Sequence, residues 1–251
     1  MFSINKKLAL AAVPAVLLGA TSVMAETLIV RSNGPSAKSF PPGKALPSNA
    51  KVALKEGDTL TILDSRGTSV LRGPGNFTMT TTTATGSSLG QFLRNTGGRQ
   101  ARTGATRSLG GAGKILSPNI WFVDVSKAGN ICLADTTAAT LWRPDSTSAG
   151  TLTLTRESDG KSTTLPFGAG QSARGWPTTA VPLVNNTSYR IAGAGLPTPV
   201  TVKVVTVGAS EVQLDSVAAK LIQNNCSAQT NLLVETTLHV EMTAPQSDTN
   251  S

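Results

Sequence analysis

The chain has 251 residues, 39% of them hydrophobic and 4% aromatic, with 24 Gly, 14 Pro, two Cys and one His; 22 Lys+Arg against 14 Asp+Glu leave a formal charge of +8. That length holds one large or two small domains, and short recurrent runs of Leu, Val, Ile and Thr are unlike the composition of a disordered chain. Charged residues make up only 14%, so the polar surface rests on Ser and Thr hydroxyls, and the scarcity of aromatic rings argues against a stacking platform for single-stranded nucleic acid.

Residues 1–25 read as a secretory leader: Lys6 and Lys7 form the charged start, residues 8–19 the apolar centre, and Val23-Met24-Ala25 a small-residue cleavage site. The apolar centre is shorter than the roughly 20 residues a spanning helix needs. No later stretch is apolar enough to span, no Cys follows the leader to carry a lipid, and neither the strands nor the aromatic girdles of a membrane barrel are visible. The expected mature product begins at Glu26, does not span the membrane, and resides in the periplasm or outside the cell. The leader holds +2 of the formal charge.

Residues 26–83 alternate apolar and polar positions in short runs: 27–31 (TLIVR), 51–55 (KVALK), 59–64 (TLTILD), 68–72 (TSVLR) and 76–80 (NFTMT). Each has the two-residue period of a strand. Asp64-Ser65-Arg66-Gly67 reads as a turn, and Gly73-Pro74-Gly75 ends the next run. A small antiparallel β-domain is expected. Residues 84–117 break the pattern with eight Gly between 86 and 114, the basic residues Arg94, Arg99, Arg102, Arg107 and Lys114, and no acid. This composition predicts a basic linker or exposed arm with a short helical turn near Leu89, Phe92 and Leu93.

From residue 118 to 208 strands resume at 120–125, 130–134, 138–142, 151–156, 162–167, 180–184, 188–192 and 200–207, with a turn at Ser158-Asp159-Gly160-Lys161. Their number and spacing predict a β-sandwich of immunoglobulin-like size. Residues 209–244 form the expected C-terminal helical segment. Val212, Leu214, Val217, Ala218, Leu221 and Ile222 recur at helical spacing behind Ser210 as N-cap, whereas residues 229–242 fit neither the helix nor the strand period cleanly. Residues 245–251 read as a loose polar tail. The fold class is thus mainly β.

Within the first domain, residues 53–77 (ALKEGDTLTILDSRGTSVLRGPGNF) resemble the periplasmic domain of FecR-type proteins, which set a Gly-Asp before an alternating strand, then a turn, then a strand ending in a Gly/Pro bend. Gly57-Asp58, residues 64–67 and residues 73–75 stand at those places. The resemblance covers 25 to 50 residues and implies a periplasmic β-module that binds another envelope protein or glycan. The regulatory members' cytoplasmic sigma-factor segment and membrane span have no counterpart here, so sigma-factor regulation does not carry over.

Cys132 and Cys226 are the only cysteines. An even count in an oxidising compartment predicts a disulfide between them, tying the C-terminal segment to the middle of the chain. Two Cys and one distant His lack the spacing of a structural zinc site. His239, the sole histidine, has no Gly-x-Ser-x-Gly nucleophile turn to serve, and the acids Asp58, Asp64, Asp124, Asp135, Asp145, Glu157 and Asp159 fall mostly in turn contexts. Gly110-Gly111-Ala112-Gly113-Lys114 ends in Ile115 where a phosphate loop needs Ser or Thr. No catalytic residue, metal or cofactor is assigned. Trp121 is assigned to the core; Trp142 and Trp176 either pack likewise or stand exposed to stack on sugar rings or anchor a partner.

The expected function is therefore non-catalytic: a binding, sensing or scaffold module of the envelope. Its expected partner is an envelope protein or an anionic glycan or glycolipid held by the five basic residues, and not nucleic acid. A hydrolase working through paired carboxylates and an adhesive surface protein are the alternatives. Mass spectrometry of the exported protein is expected to find Glu26 at the N-terminus and a mass two protons below that of the dithiol; free thiols would overturn the disulfide.

Overall fold

The computed structural model describes residues 27–65, 67–79, 115–208 and 214–243. The first β body contains β1 (Thr27–Asn33), β2 (Ala45–Leu46), β3 (Lys51–Leu54), β4 (Thr59–Asp64), β5 (Gly67–Arg72) and β6 (Gly75–Thr78). β4 and β5 form a tight hairpin in which Asp64 pairs with Gly67, as the turn signal predicts. β1 pairs antiparallel with both β4 and β2, while β3 and β6 make a separate two-stranded ribbon. The sheet is covered on both faces because its alternation serves two cores. Ile29, Leu60, Ile62 and Leu71 face Val52, Leu54 and Phe77 of the ribbon, whereas Leu28, Val30 and Leu63 face the opposite way. Asp58, only 3% exposed, closes the Gly-Asp turn by accepting the N–H groups of Ser36 (2.8 Å) and Lys55 (2.6 Å).

The second β body contains β7 (Val123–Asp124), β8 (Gly129–Leu133), β9 (Thr140–Trp142), β10 (Gly150–Arg156), β11 (Ser162–Phe167), β12 (Ala173–Gly175), β13 (Thr187–Gly193) and β14 (Val200–Thr206). A five-stranded sheet in the order β11-β10-β13-β14-β8 and a three-stranded sheet β12-β9-β7 enclose one core, with Leu141, Leu152, Phe167, Trp176, Tyr189 and Val202 among its members. Tyr189 forms a tyrosine corner: its hydroxyl donates to the Pro182 carbonyl and accepts the Val184 N–H, both at 2.8 Å.

One expected strand is absent and another takes its place. Residues 180–184 form no strand, because Pro177 and Pro182 remove ladder donors and the Val181 N–H instead closes a turn on the Pro177 carbonyl at 2.9 Å. Val181 and Leu183 are still buried in the sandwich core, and the sheet position is filled by β12.

The C-terminal segment joins the two bodies. Helix α1 (Leu214–Gln223) buries Leu214, Val217, Ala218 and Leu221, the i, i+3, i+4, i+7 stripe that its sequence predicts. Asn225, at φ 55°, then turns the chain into helix α2 (Ser227–Thr237). The buried stripe of α2 is Gln229, Thr230, Leu233, Val234 and Thr237, so burial has the helical period while hydrophobicity does not. Its polar members are satisfied internally: Thr230 and Thr237 hydroxyls donate to the Cys226 and Leu233 carbonyls. The chain then leaves the helix as β15 (Leu238–Thr243), which runs parallel to β5 and completes the first sheet in the order β15-β5-β4-β1-β2. The stretch over 229–242, which fits neither period cleanly, is thus divided: it is helix to Thr237 and strand from Leu238, where the open edge of β5 supplies backbone partners. Gly67 makes this approach possible: it sits at φ 137°, and a Cβ on it would stand 2.5 Å from the Thr237 carbonyl oxygen.

A third core lies between these parts. Leu28, Val30 and Leu63 of the first body, Ile120, Trp121, Cys132 and Ala134 of the second, and the inner faces of α1 and α2 form one cluster. The predicted disulfide is present, with Cys132 and Cys226 bonded at a Cα–Cα distance of 5.9 Å and a separation of 94 residues. Beside it Gln229 occupies the outer edge of β8: its Nε2 donates to the carbonyls of Cys132 (2.8 Å) and Ile120 (2.7 Å), and its Oε1 accepts the Cys132 N–H at 2.7 Å. Removing the crosslink by Cys132→Ala with Cys226→Ala is expected to cost about 4–5 kcal/mol on chain-entropy grounds. Gln229→Ala, which strips three buried backbone groups of their partner, is expected to cost about 1–3 kcal/mol. Denaturant unfolding checks both; an unchanged midpoint for Gln229→Ala would contradict the role given to this side chain.

Candidate functional site

The end of the sandwich where β9 finishes and β14 begins brings three loops together. Gly170 donates its N–H to the Ser146 carbonyl at 2.6 Å and Arg143 its own to the Ser172 carbonyl at 2.9 Å, joining the loops over 143–149 and 168–172. The loop over 194–199 abuts the first through Gly150, where an added Cβ would lie 3.0 Å from the Ala194 Cα. Arg143 fixes this arrangement from below. It is only 4% exposed, its Nε and Nη2 donate to the carbonyls of Gln171 and Gly168 at 2.9 Å each, and its guanidinium stacks 5.2 Å from the centroid of Phe167. A charge taken from water must be compensated; here backbone carbonyls and an aromatic face do so, and the result is a loop held in one shape.

Next to the loops a cleft of about 390 Å³ opens between α2 and the first strands of the sandwich. Ile115, Phe122 and Leu232 supply apolar walls, Pro144 links it to the loop end, and Asp124, Lys127 and Glu235 bring charge. Its walls come from rigid elements. Asp124 is held by the N–H and hydroxyl of Ser126 at 2.9 and 2.6 Å, and α2 is pinned by the disulfide and Gln229. At the rim Ile115 is 46% exposed.

The residues singled out from sequence fall in different places. Trp142 and Trp176 are only 2% and 6% exposed, so of the two alternatives left open by the sequence they take the core one and are not exposed aromatic anchors. Trp142 alternates with Leu141 in a sheet covered on both faces, and Trp176 packs edge-on against Tyr189 at 5.0 Å with its Nε1 donating to the Val181 carbonyl at 2.8 Å. Trp121 is core as expected and belongs to the cluster that holds the disulfide. His239 stands at the register shift between β15 and β5. Arg94, Arg99, Arg102, Arg107 and Lys114, with the leader, the helical turn near Leu89 and the tail, lie outside the described residues.

The acids are occupied in turns. Asp135 and Asp145 accept the N–H and hydroxyl of the Thr two residues ahead, repeating the Asp124–Ser126 arrangement, and Asp159 pairs with Arg156. Gln229, Arg143 and Glu235 were passed over at the sequence level. Gln229 stands three residues after Cys226, a spacing that suggests helix capping, and only the approach of β8 reveals its actual partners.

Comparison of the chain with protein families, characterised proteins and solved structures finds no match. Among the described residues no helix is long and apolar enough to cross a membrane, and no cluster of three or more His, Cys, Asp or Glu side chains is placed to hold a metal ion.

Among the described residues three carboxyls have displaced acidities, all downward. The Ser36 N–H chiefly, with the Ser36 hydroxyl and the Lys55 N–H, lowers Asp58; the Thr147 hydroxyl and then its N–H lower Asp145; the Arg156 guanidinium brings Asp159 from 3.8 to about 2. A general acid requires the opposite displacement. A carboxyl more acidic in the folded than in the unfolded state stabilises above its unfolded pKa and loses that contribution as pH falls through the folded value. Folding stability is therefore expected to hold steady above pH 5 and to decline from about pH 4 towards pH 2, and Asp159→Asn should flatten part of the decline. Unfolding midpoints measured across that range check this; a decline beginning above pH 5 would contradict it.

Proposed function

We propose that the chain is an exported, non-catalytic binding protein of the cell envelope, serving as a sensing or scaffold module that receives a protein partner at the cleft between α2 and the sandwich end. The observation that carries this reading is the cleft itself: an open concavity of mixed apolar and polar lining, set on rigid elements beside loops shaped by a buried Arg143. Concave, preformed sites are where proteins bind ligands, and rigid walls reduce the ordering cost of association.

Several features support export and an envelope setting. The leader pattern of residues 1–25 is one, the buried disulfide, a bond that persists in oxidising compartments, is another, and the FecR-type resemblance of residues 53–77 is a third. Non-catalytic action is supported by the turn roles of the acids and by the downward acidity of the three displaced carboxyls. Of the two partner classes expected from sequence, the exposed apolar side chain of Ile115 at the cleft favours a protein. The basic run from Arg94 to Lys114, expected from sequence to meet an anionic partner, lies outside the described residues.

A photo-crosslinking residue placed at Ile115 in intact cells is expected to give a discrete adduct, and one at Thr164, exposed on β11, is expected to give none. Equal labelling from both positions, or none from Ile115 in a folded protein, would overturn the assignment.

A further inference from the structure

We infer that Asn33 is a site of spontaneous covalent modification: the Gly34 nitrogen attacks the Asn33 carboxamide, ammonia leaves, and water opens the cyclic imide to an aspartyl or isoaspartyl link at the end of β1. The substrate is the chain itself, and water is the only co-reactant.

Of the asparagines in the chain, Asn33 alone is followed by glycine. The reaction brings the nitrogen of the next residue onto the side-chain carbon, and a side chain on that residue stands in the way; glycine has none. The fold then places the reactants. Asn33 is exposed and is the last residue of β1, so Gly34 stands just past the ladder. The Gly34 N–H donates to Asn33 Oδ1 at 3.0 Å, which holds the attacking nitrogen beside the carboxamide and replaces a chance encounter by a positioned one. Packing also demands glycine here: Gly34 sits at φ 104°, and a Cβ on it would stand 2.6 Å from Asp58 Oδ1 and 2.7 Å from the Gly57 carbonyl oxygen. The fold thus requires, after Asn33, the one residue type that leaves it open to attack. Asp159-Gly160 offers the same neighbour, but there the carboxylate is ionised and paired with Arg156, which makes it a poor target for a nucleophile.

The deprotonated Gly34 nitrogen forms a bond to Asn33 Cγ, the carboxamide C–N bond breaks, and its nitrogen takes up the proton and leaves as ammonia. Water then adds to the succinimide. Hydrolysis at Cγ leaves an aspartate; hydrolysis at the main-chain carbonyl leaves an isoaspartate, whose chain runs through Cβ. Nothing is oxidised or reduced. Either product sets a new carboxylate in the turn that rests on Asp58, whose own carboxylate takes the N–H groups of Ser36 and Lys55, and like charges disfavour one another there. The isoaspartate also lengthens the main chain where Gly34 lies tight against Gly57 and Asp58. The modified protein therefore holds its first β body less firmly.

The test ages the full mature chain at physiological temperature, in neutral and in mildly alkaline buffer, and follows its tryptic peptides by chromatography and mass spectrometry. The peptide from Ser32 to Lys38 carries Asn33. It is expected to gain the mass of an amide replaced by a carboxyl, as two separable products with isoaspartate the larger, and to do so faster at the higher pH. Conversion should be at least tenfold faster than at Asn76, which is equally exposed but followed by Phe77. Aged wild-type chain should unfold at a lower denaturant midpoint than fresh chain, whereas Asn33→Ser should show neither the mass gain nor the shift. No conversion in the protein while a synthetic peptide of the same sequence converts, or equal conversion at Asn33 and Asn76, overturns the site. Conversion with an unchanged midpoint overturns its coupling to the Asp58 turn.

Discussion

The outer edge of β8 is where the molecule is held together. One side of that strand pairs in parallel with β14, which leaves the other with unpaired backbone groups of the kind that invite unwanted association. Here Gln229 takes the place of a neighbouring strand, pairing with the N–H and carbonyl of Cys132 while the same residue's sulfur is bonded to Cys226 at the start of the same helix. Asn130 adds a third tie, its Nδ2 donating to the Asn224 carbonyl at 2.8 Å. A covalent bond and a buried amide thus fix α2 in distance and rotation. The third core, the α2 wall of the cleft and the path into β15 all follow from that placement.

The alternation of β8 shows how one strand serves two cores. Ile131 and Leu133 point into the sandwich, while Cys132 and Ala134 point to the helices and the first sheet. The same division occurs in the first sheet, where Ile29 and Leu28 belong to different clusters. The middle cluster draws on both β bodies and on both helices, so the long stretch of sequence between the bodies does not make them independent. Thr68 and Thr237, bonded through their hydroxyls at 2.8 Å, carry the connection on to β5. Polar contacts at such a junction set register and rotation more than they add stability, since each exchanges a bond with water for one within the protein.

The cleft depends on the same placement. Its floor belongs to the sandwich, its opposite wall to α2, and its link to the loop end is Pro144 beside the buried Arg143. Arg143 and Gln229 have similar roles: each is a long polar side chain buried where backbone carbonyls would otherwise lack a partner. Their satisfaction is complete enough to give rigid shape to segments that have no regular structure of their own.

The strands were legible in the sequence wherever period-two alternation coincided with a turn signal, as at Asp64-Ser65-Arg66-Gly67 and Ser158-Asp159-Gly160-Lys161, because both signals are local. Helix α1 was legible from its apolar stripe, and the disulfide from the cysteine count. Tertiary structure alone decided the rest. α2 and β15 were ambiguous because polar Gln229, Thr230 and Thr237 occupy buried positions; the two hydroxyls bond carbonyls of their own helix, but Gln229 is acceptable there only once β8 provides partners, and residues 180–184 looked like a strand until two prolines met the tyrosine corner. Burial of Trp142 and Trp176 is likewise a property of the layers packed over them. The cleft joins residues more than 100 positions apart, Phe122 and Asp124 with Leu232 and Glu235. Spacing along a chain carries no information about such a meeting; it exists only because the crosslink and the Gln229 amide bring α2 to the edge of the sandwich.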